Sequence, residues 1–436
     1  QQTQQSALNA GFPSTWGGRA ADYGMDPDVI GPNDLFSGVY AATIQDNLKA
    51  IPSLSLTLDN ADFFGPNGIY SNITGEGIGW ERPTSAELIY ADGTEGFQID
   101  AGLRIHGAAS RSLSKKNALR LLFKDDYGAG KLEYPLFGEE GVTQFDTIVI
   151  RPHFNDGWGW DGALADPLYV RDQWFRDTQA AMGHASARGT LVHLYINGLY
   201  WGLYNPSERP DDSFAAETFG GEKEEYDVVN HNGLADGSID AYNTMIAMAQ
   251  AVSSAAGTAA KNAAYQALQG NLPSGLNNPS QEDFLDVVNY IDYMIINHYG
   301  GNNDWPDRNW YSNRRRGVES EGFKFFAWDN EISLALSDRT SIFENNLAKS
   351  TGAAQAFGIL RNYEEFRLQF ADRIHEHLFN SGALYVNSAS PTYDPNNPQN
   401  NVPAARLAEL ADSVYDAIPA ESARWGDQHV AFPRTR

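Results

Sequence analysis

The sequence predicts an α+β protein with two lobes, a β-rich lobe followed by a mainly helical one. Short runs rich in β-branched and aromatic residues, separated by turn residues, fill the chain between residues 53 and 204. Helix-periodic and Ala-rich segments take over after about Ser238. We therefore predict one domain over 51–436, with lobes at about 51–210 and 211–436 and a cleft between them. Residues 1–50 mix Gly, Pro and Asp and are interpreted as an irregular N-terminal extension.

Five segments of the first lobe have the composition of β-strands. They are SLSLTL at 53–58, AELIYA at 86–91, FQIDAGLRIHG at 97–107, NALRLLFK at 117–124 and FDTIVIR at 145–151. A hairpin is predicted where VHLYI and LYWGLY flank Asn197-Gly198, because this pair supplies the two positive-φ residues of a type I′ turn.

The second lobe contains four predicted helical regions. They follow Ser238 to about Leu268, cover 282–300, and lie at about 362–380 and 403–424. The region 282–300 is predicted to be a buried helix because its apolar residues recur at helical spacing, at Phe284, Val287, Val288, Ile291, Met294, Ile295 and Tyr299.

Composition excludes several classes of function. A formal charge of −25 opposes binding to nucleic acid, whose phosphates would be repelled. The absence of cysteine excludes disulfides and thiolate chemistry, and no apolar run is long enough to span a membrane. The nine histidines are scattered, and most are expected to be satisfied core residues or surface residues. An acidic, cysteine-free, Asn-, Gly- and Trp-rich chain is typical of bacterial extracellular proteins, so we expect a secreted protein.

The stretch from Asp304 to Asp329 predicts a site for a divalent metal and a nucleotide. Asp304 and Asn309 lie in a loop before the strand NWYSNRR, and FKFFAW forms a second strand that ends at Asp329. A hairpin brings the loop before its first strand and the residue after its second strand to the same end. Phosphoryl transfer uses one carboxylate to orient the attacking hydroxyl, and an Asn oxygen and a second carboxylate to hold Mg²⁺. An Asp- and Asn-rich surface turn is the alternative interpretation.

Phosphates also need cations, and these are concentrated between Arg104 and Lys124. As a strand, 116–124 directs Leu119, Leu121 and Phe123 to one side and Lys116, Arg120 and Lys124 to the other. Lys116 or Lys115 would suit the α- and β-phosphates of a nucleotide, with Arg111 as a second contact. A solvated strand face balanced by neighbouring aspartates is the alternative.

Several blocks of the chain, in order, resemble the CotH family of atypical secreted kinase-like proteins. They are LRIHGAASRSLSKKNALRLLFKDDYG, YPLFG, IVIRPHFND, YVRDQWF, INGLYWGLYNPSERPDDSF, DWPDRNWY and FKFFAWDNE. The resemblance covers about Leu54 to about Asn380. Trp305-Pro306 stands where many relatives have a Gly after the catalytic Asp, and the Gly that often follows the metal-binding Asp is replaced here.

The resemblance implies a divergent two-lobed protein-kinase-like fold that binds ATP with Mg²⁺, Mn²⁺ or Ca²⁺ and phosphorylates Ser or Thr of extracellular or cell-surface proteins. Carried over to this sequence, Asp304 matches the catalytic Asp, and Asn309 and Asp329 match the metal ligands. Lys116, or Lys115, matches the nucleotide-binding lysine, Arg111 lies in the same block, and Glu208 is the candidate partner of the lysine.

Two alternatives remain open at the level of sequence. A kinase-like site can transfer another group, such as AMP or an ATP-activated amino acid. The fold could also serve as a non-catalytic extracellular module for binding or adhesion. The sequence leaves open the protein acceptor, the preferred metal, the oligomeric state and whether further domains are appended in the full-length chain.

Overall fold

The computed structural model describes residues 2–138, 141–163, 166–335 and 346–436. Within these residues the chain is a mixed α+β protein, as the sequence predicts. Contact clustering divides it into two compact units built from separate segments of the chain. Unit 1 comprises Gln1–Val170, Gly189–Arg209 and Leu410–Arg436, and unit 2 comprises Arg171–Arg188 and Pro210–Glu409. The domain boundaries at residues 50 and 210 stay predictions.

The strands of the described residues follow in chain order. In unit 1 they are β1 (Thr15–Trp16), β2 (Arg19–Ala20), β3 (Ser53–Thr57), β4 (Arg82–Ile89), β5 (Gln98–His106), β6 (Ala118–Leu122), β7 (Leu132–Glu133), β8 (Gln144–Phe145), β9 (Thr147–Arg151), β10 (Val192–Ile196) and β11 (Leu199–Ser207). In unit 2 they are β12 (Tyr226–Asn230), β13 (Gly233–Asp236), β14 (Trp310–Arg315) and β15 (Lys324–Ala327).

The α-helices include several of only one or two turns. The first seven are α1 (Gln4–Asn9), α2 (Pro27–Ile30), α3 (Val39–Asn47), α4 (Asn60–Phe64), α5 (Ser110–Leu113), α6 (Arg171–Ala181) and α7 (Asp212–Phe219). The others are α8 (Asp240–Ser254), α9 (Thr258–Leu268), α10 (Val287–Tyr299), α11 (Gln355–Leu360), α12 (Glu364–Leu378), α13 (Val402–Tyr415) and α14 (Ile418–Trp425). None of the helices in the described ranges is long and apolar enough to cross a membrane.

Unit 1 is organised around a closed seven-stranded sheet in the order β10-β11-β9-β6-β5-β4-β3. Neighbouring strands are antiparallel except β10 and β3, whose parallel pairing closes the ring. Leu119, Leu121 and Phe123 are buried, so the predicted apolar face of the β6 segment is confirmed. The predicted hairpin is confirmed as well, because Asn197 and Gly198 both have positive φ between β10 and β11.

Residues 1–50 contribute to unit 1 and are more ordered than the irregular extension that the composition suggests. They contain α1, α2 and α3, and the side chains of Trp16 and Tyr23 are fully buried in the aromatic part of the core. The Trp16 indole nitrogen donates to the Tyr23 hydroxyl at 2.7 Å. Buried aromatic packing therefore orders a segment whose Gly and Pro content disfavours long regular elements.

Unit 2 combines a four-stranded sheet, in the order β13-β12-β14-β15, with helices α6 to α12 and the first part of α13. Helix α10 begins at Val287, five residues later than the predicted start at 282, because Asp286 caps it by accepting the Asn289 N–H at 2.9 Å. Leu285 instead forms a parallel bridge with Phe323. Val288 and Tyr299, which were predicted to be buried, are 45% and 40% exposed.

The helix predicted at 403–424 is two helices, α13 and α14. Pro419 lies in the first turn of α14, and proline cannot continue a preceding helix because it lacks the amide N–H and clashes with the previous turn. Every residue of α14 is buried. The region after Ser238 is likewise two helices, α8 and α9, and the predicted helix at 362–380 corresponds to α12.

Candidate active site

One end of the four-stranded sheet gathers polar residues from three strands. The register pairs Asn230 of β12 with Tyr311 of β14, and Trp310 of β14 with Ala327 of β15. The residues just beyond these pairs therefore leave the sheet at the same end. They are His231 after β12, Asn309 before β14, and Trp328-Asp329 after β15.

Asp304 and Asn309 are in direct contact in the loop between α10 and β14. Asn309 Nδ2 donates a hydrogen bond to Asp304 Oδ2 at 3.2 Å, and an Arg308 guanidinium nitrogen lies 3.9 Å from Asp304 Oδ1. Both residues are half-buried. Asn309 has φ of 63° and Asp329 has φ of 59°, the left-handed conformation that Asn and Asp tolerate better than most residues. The chain thus uses tolerant residue types at the points where it turns into and out of the hairpin.

His231 belongs to the same group, although the sequence analysis treated the histidines as structural. Burial lowers the pKa of its imidazole and the Arg308 charge lowers it further, while the negative charges of Asp329 and Asp304 oppose this shift. Both carboxylates therefore lie within electrostatic range of one ring. The sequence alone did not indicate that His231 lies here. It is brought to this end by the pairing of β12 with β14, which joins residues about 80 positions apart.

The loop that carries Asp304 is fixed by its neighbours. The Trp305-Pro306 bond is cis, and the buried Trp305 indole N–H donates to the Tyr293 hydroxyl at 2.7 Å. Lys349 Nζ donates to the Trp305 carbonyl at 2.6 Å, and the Ala353 N–H donates to the Pro306 carbonyl at 3.0 Å. Trp305-Pro306 is thus held from both α10 and the segment after residue 346.

The donor set of Asp304, Asn309 and Asp329 suits a hard divalent cation. Mg²⁺ is usually bound through one or two carboxylates together with substrate phosphates and water, and this set supplies carboxylate and carboxamide oxygens. Among the described residues no three His, Cys, Asp or Glu side chains are grouped so as to hold a metal ion on their own.

The cations that the sequence analysis singled out belong to unit 1, whereas Asp304, Asn309 and Asp329 belong to unit 2. The Arg111 guanidinium donates to the backbone carbonyls of Gly107, Ile73, Gly75 and Ile105 and lies 3.8 Å from a Glu76 carboxylate oxygen. Burial lowers the pKa of Arg111. Its contacts connect the α5 segment with residues 73–76. Lys115 is more accessible, with Nζ 3.6 Å from Asp22 Oδ2.

Lys116 is almost completely buried, with its side chain 1% exposed. Its Nζ donates to Glu421 Oε1 and to the Leu203 carbonyl, both at 2.6 Å, and lies 4.8 Å from the centre of the Tyr204 ring. Glu421 of α14 was not considered in the sequence analysis. Glu208, the candidate partner predicted from the family pattern, is also buried in unit 1. Its pairing with Lys116 stays a prediction.

Glu421 is held by more than the lysine. Its Oε2 accepts the Leu203 N–H at 2.7 Å, and the Tyr169 hydroxyl lies 3.3 Å from Oε1. Burial and the Glu421 charge raise the pKa of Tyr169 well above its usual value, so this phenol stays neutral and can donate to the carboxylate. The ion pair is therefore embedded in a network of hydrogen bonds, as a buried charge requires.

A comparison with protein families identifies the chain. The model of the family described as CotH kinase protein matches residues 103–387, well over half of the 436 residues. The chain belongs to this family. No curated protein matches the sequence significantly.

Membership of the CotH family indicates a kinase-like function. All the residues predicted from the CotH pattern lie within the matched segment, from Arg111 to Asp329. Glu421 and the rest of α14 lie beyond its end. The carboxylate that contacts Lys116 in this CotH protein therefore comes from a part of the chain that the family pattern does not describe.

Proposed function

We propose that this CotH protein is a secreted, ATP- and metal-dependent phosphotransferase with a divergent two-lobed kinase-like fold, which transfers the γ-phosphate to Ser or Thr of an extracellular or cell-surface protein. The observation that carries the proposal is the convergence of Asn309, Asp329 and the Asp304 loop at one end of the β12–β14–β15 sheet. A surface turn rich in Asp and Asn would not need the pairing of β14 with β15 to bring these residues to one end of a sheet.

Each residue has a defined role in the proposed reaction. Asp304 accepts the proton of the acceptor hydroxyl, or orients that hydroxyl toward the phosphorus. The Asn309 side-chain amide steadies the Asp304 carboxylate through the 3.2 Å hydrogen bond. The Asn309 oxygen and the Asp329 carboxylate would hold the metal. A bound Mg²⁺ or Mn²⁺ would neutralise the phosphate charge.

The cations of unit 1 complete the proposal. Lys115 is the more accessible of these two adjacent lysines, whereas Lys116 is buried and forms an ion pair with Glu421. In the proposed function the Lys115-Lys116 segment contacts the nucleotide phosphates. Arg111 stabilises the preceding turn by donating hydrogen bonds to four backbone carbonyls.

Calorimetry and activity assays on the purified chain test the proposal. We expect ATP to bind with Mg²⁺ or Mn²⁺ but not in EDTA, and Asp329→Ala to abolish binding because it removes a metal ligand. Asp304→Asn should retain nucleotide affinity but lower turnover by about 10²–10⁴-fold. Asp307→Ala, which alters an exposed carboxylate of the same loop, is the matched control and should behave like the unaltered chain.

The outcomes separate the three candidate functions. The intact mass of casein, or of the chain itself after incubation with ATP, should increase by one or more phosphoryl groups. An increase by AMP or by an amino acid would assign a different transfer reaction to the same site. If the chain bound no nucleotide with any divalent metal, and if it bound glycans even as the Asp304→Ala variant, the protein would be a binding module and not an enzyme.

A further inference from the structure

A chain of buried asparagines lies directly behind the candidate active site. Asn302 precedes Asp304 by two residues, and Asn330 follows Asp329 immediately. Asn302 Nδ2 donates to Asn297 Oδ1 at 2.9 Å and to Asn330 Oδ1 at 2.7 Å. One carboxamide thus joins the last turn of α10, the Asp304 loop and the segment that follows β15. We call Asn297, Asn302 and Asn330 the asparagine relay.

Asn330, the last residue of the relay, also donates a hydrogen bond to a carboxylate. Asp172, in the first turn of α6, accepts the Asn330 backbone N–H at 2.8 Å. The three asparagines are at most 1% exposed and Asp172 is 5% exposed, so water does not compete for these hydrogen bonds. A bond to an ionised acceptor is stronger than one between neutral groups, which makes Asp172 a firm anchor.

Backbone hydrogen bonds run parallel to the relay. The Asn303 N–H donates to the Ile332 carbonyl at 3.0 Å, and the Leu334 N–H donates to the Gly300 carbonyl at 2.8 Å. Asn346 adds a further link, because its Nδ2 donates to the backbone carbonyls of Asn297 and Asn302. The Asp304 loop and the segment after Asp329 are therefore connected side by side through both side chains and backbone.

The orientation of Asn302 suggests that it is kept for its two donors. Its Oδ1 is buried and has no partner among the described residues. An unpaired buried polar atom costs about 1–3 kcal/mol, so an apolar side chain of similar size would remove that cost if stability alone mattered. The Asn302 amide group donates to Asn297 and Asn330 at the same time, which an apolar side chain could not do.

We infer that the asparagine relay positions the Asp304 loop against Asp329, so that Asn302 and Asn330 set the affinity for the metal–nucleotide complex as positioning residues. The ligand, a metal–nucleotide complex, is the one assumed in the proposed function, on which this inference rests. The geometry is that of the hydrogen bonds described above. Residues that orient metal ligands from behind change metal affinity by about 10–100-fold when they are removed. Within the relay, the Asn302 side chain is the one that contacts both Asn297 and Asn330.

Amide hydrogen exchange on the metal-free chain tests the coupling itself. We expect Asn330→Ala to speed exchange of the amides in 302–309 by about tenfold, although the substitution lies outside that segment, and Asn302→Ala to do the same for 328–334. Asn289→Ala is the control, because Asn289 is equally buried and joins α10 to β15 by accepting the Phe325 N–H at 2.7 Å. Faster exchange confined to the mutated segment would overturn the inference.

Nucleotide affinity with Mn²⁺, measured by calorimetry, is the second readout. Asn302→Ala and Asn330→Ala should each weaken it by about 10–100-fold, whereas Asn289→Ala should leave it within about twofold at a comparable loss of thermal stability. If a variant does not fold, Asn330→Ser takes its place. Unchanged affinity in both relay variants would also overturn the inference. A wild-type chain that binds no nucleotide would refute the proposed function, and the exchange result would still decide whether the relay couples the two segments.

Discussion

At the residue scale, His298 shows how burial alone can make stability depend on pH. It lies in the last turn of α10, and its ring packs against Trp305, Phe357 and Phe370. Neither ring nitrogen has a partner within the described residues. Burial, with a smaller effect from the Lys349 charge, lowers the pKa of His298 to about 4. The ring is therefore neutral in the folded protein at neutral pH.

His298→Phe should reduce the loss of stability in mild acid. The unfolded chain takes up a proton near the ordinary histidine pKa of about 6.5, whereas the folded chain does so only near 4. Stability is thus fully present above about pH 6.5 and is lost as the pH falls toward 4, by about 2 kcal/mol at pH 5 for this group. Phenylalanine removes that contribution and both unpaired nitrogens.

Urea unfolding at pH 7 and pH 5 measures the effect. The difference between the two pH values should be smaller in His298→Phe than in the unaltered chain. His375→Gln, at an exposed position of α12, serves as the control and should leave the difference unchanged. Equal pH dependence in His298→Phe and the unaltered chain would contradict the prediction.

At the scale of elements, α14 is attached to the seven-stranded sheet by one short helix face. Glu421 contacts Lys116 and Leu203, and the Trp425 indole N–H donates to the Trp201 carbonyl at 2.6 Å. Gly202 permits this approach: a Cβ at that position would lie 2.8 Å from Glu421 Oε2 and from Trp425 Nε1, and its φ is 136°. The close approach of the helix therefore requires glycine at position 202, and it brings Glu421 to the buried lysine.

Glu421→Gln should destabilise unit 1 by about 3–5 kcal/mol, because it removes the carboxylate that lies 2.6 Å from the buried Lys116 ammonium. The double variant Lys116→Met/Glu421→Gln should recover most of this loss, since it removes the buried ammonium together with the carboxylate and the glutamine oxygen can still accept the Leu203 N–H. Thermal and urea unfolding of both variants give the comparison.

A surface pair provides the control for this prediction. Asp416→Asn removes an ion pair with Arg436 in which the aspartate is 70% exposed, and it should cost less than about 1 kcal/mol. If Glu421→Gln were no more costly than Asp416→Asn, the buried pair would not anchor α14. If the double variant were as unstable as Glu421→Gln, the loss would come from packing rather than from breaking the ion pair between Lys116 and Glu421.

At the scale of the whole molecule, the excess of acidic residues opposes compactness. The chain has 56 acidic and 31 basic side chains, and a net charge of −25 raises the electrostatic free energy of the folded state. Many of the basic side chains already lie beside individual acidic partners, as Arg315 does beside Glu319, whose side chain is 72% exposed, at 3.0 Å. Exposed pairs of this kind contribute little each, so general repulsion should dominate the response to salt.

The melting temperature should therefore rise by several degrees between about 20 mM and about 500 mM NaCl. Added salt shortens the Debye length, which weakens the repulsion between surface carboxylates. Differential scanning calorimetry in a chloride series measures it, with sucrose at matched osmolality as a control for solvent effects. A melting temperature that falls with NaCl would mean that attractive ion pairs outweigh the repulsion.

The sequence by itself determined the features that local chemistry specifies. The strands at 53–58, 97–107 and 117–124 and the Asn197-Gly198 turn followed from alternation and turn preferences, and the 304–329 hairpin followed from its turn and flanking strands. Because a hairpin has only one way to fold back, its two ends meet, and the juxtaposition of Asn309 with the Trp328-Asp329 end could be predicted without a structure. The order of the sequence blocks supplied the family.

Only the tertiary structure decided which distant residues join these local features. His231 reaches the site through strand pairing, Glu421 meets Lys116 across 305 positions, and Asp172 meets Asn330 across 158. The start of α10 was set by the Asp286 cap and the Leu285–Phe323 bridge, and neither follows from helical periodicity. Such contacts depend on how whole elements pack, which no local propensity encodes, because the burial that stabilises them exists only once the chain has folded.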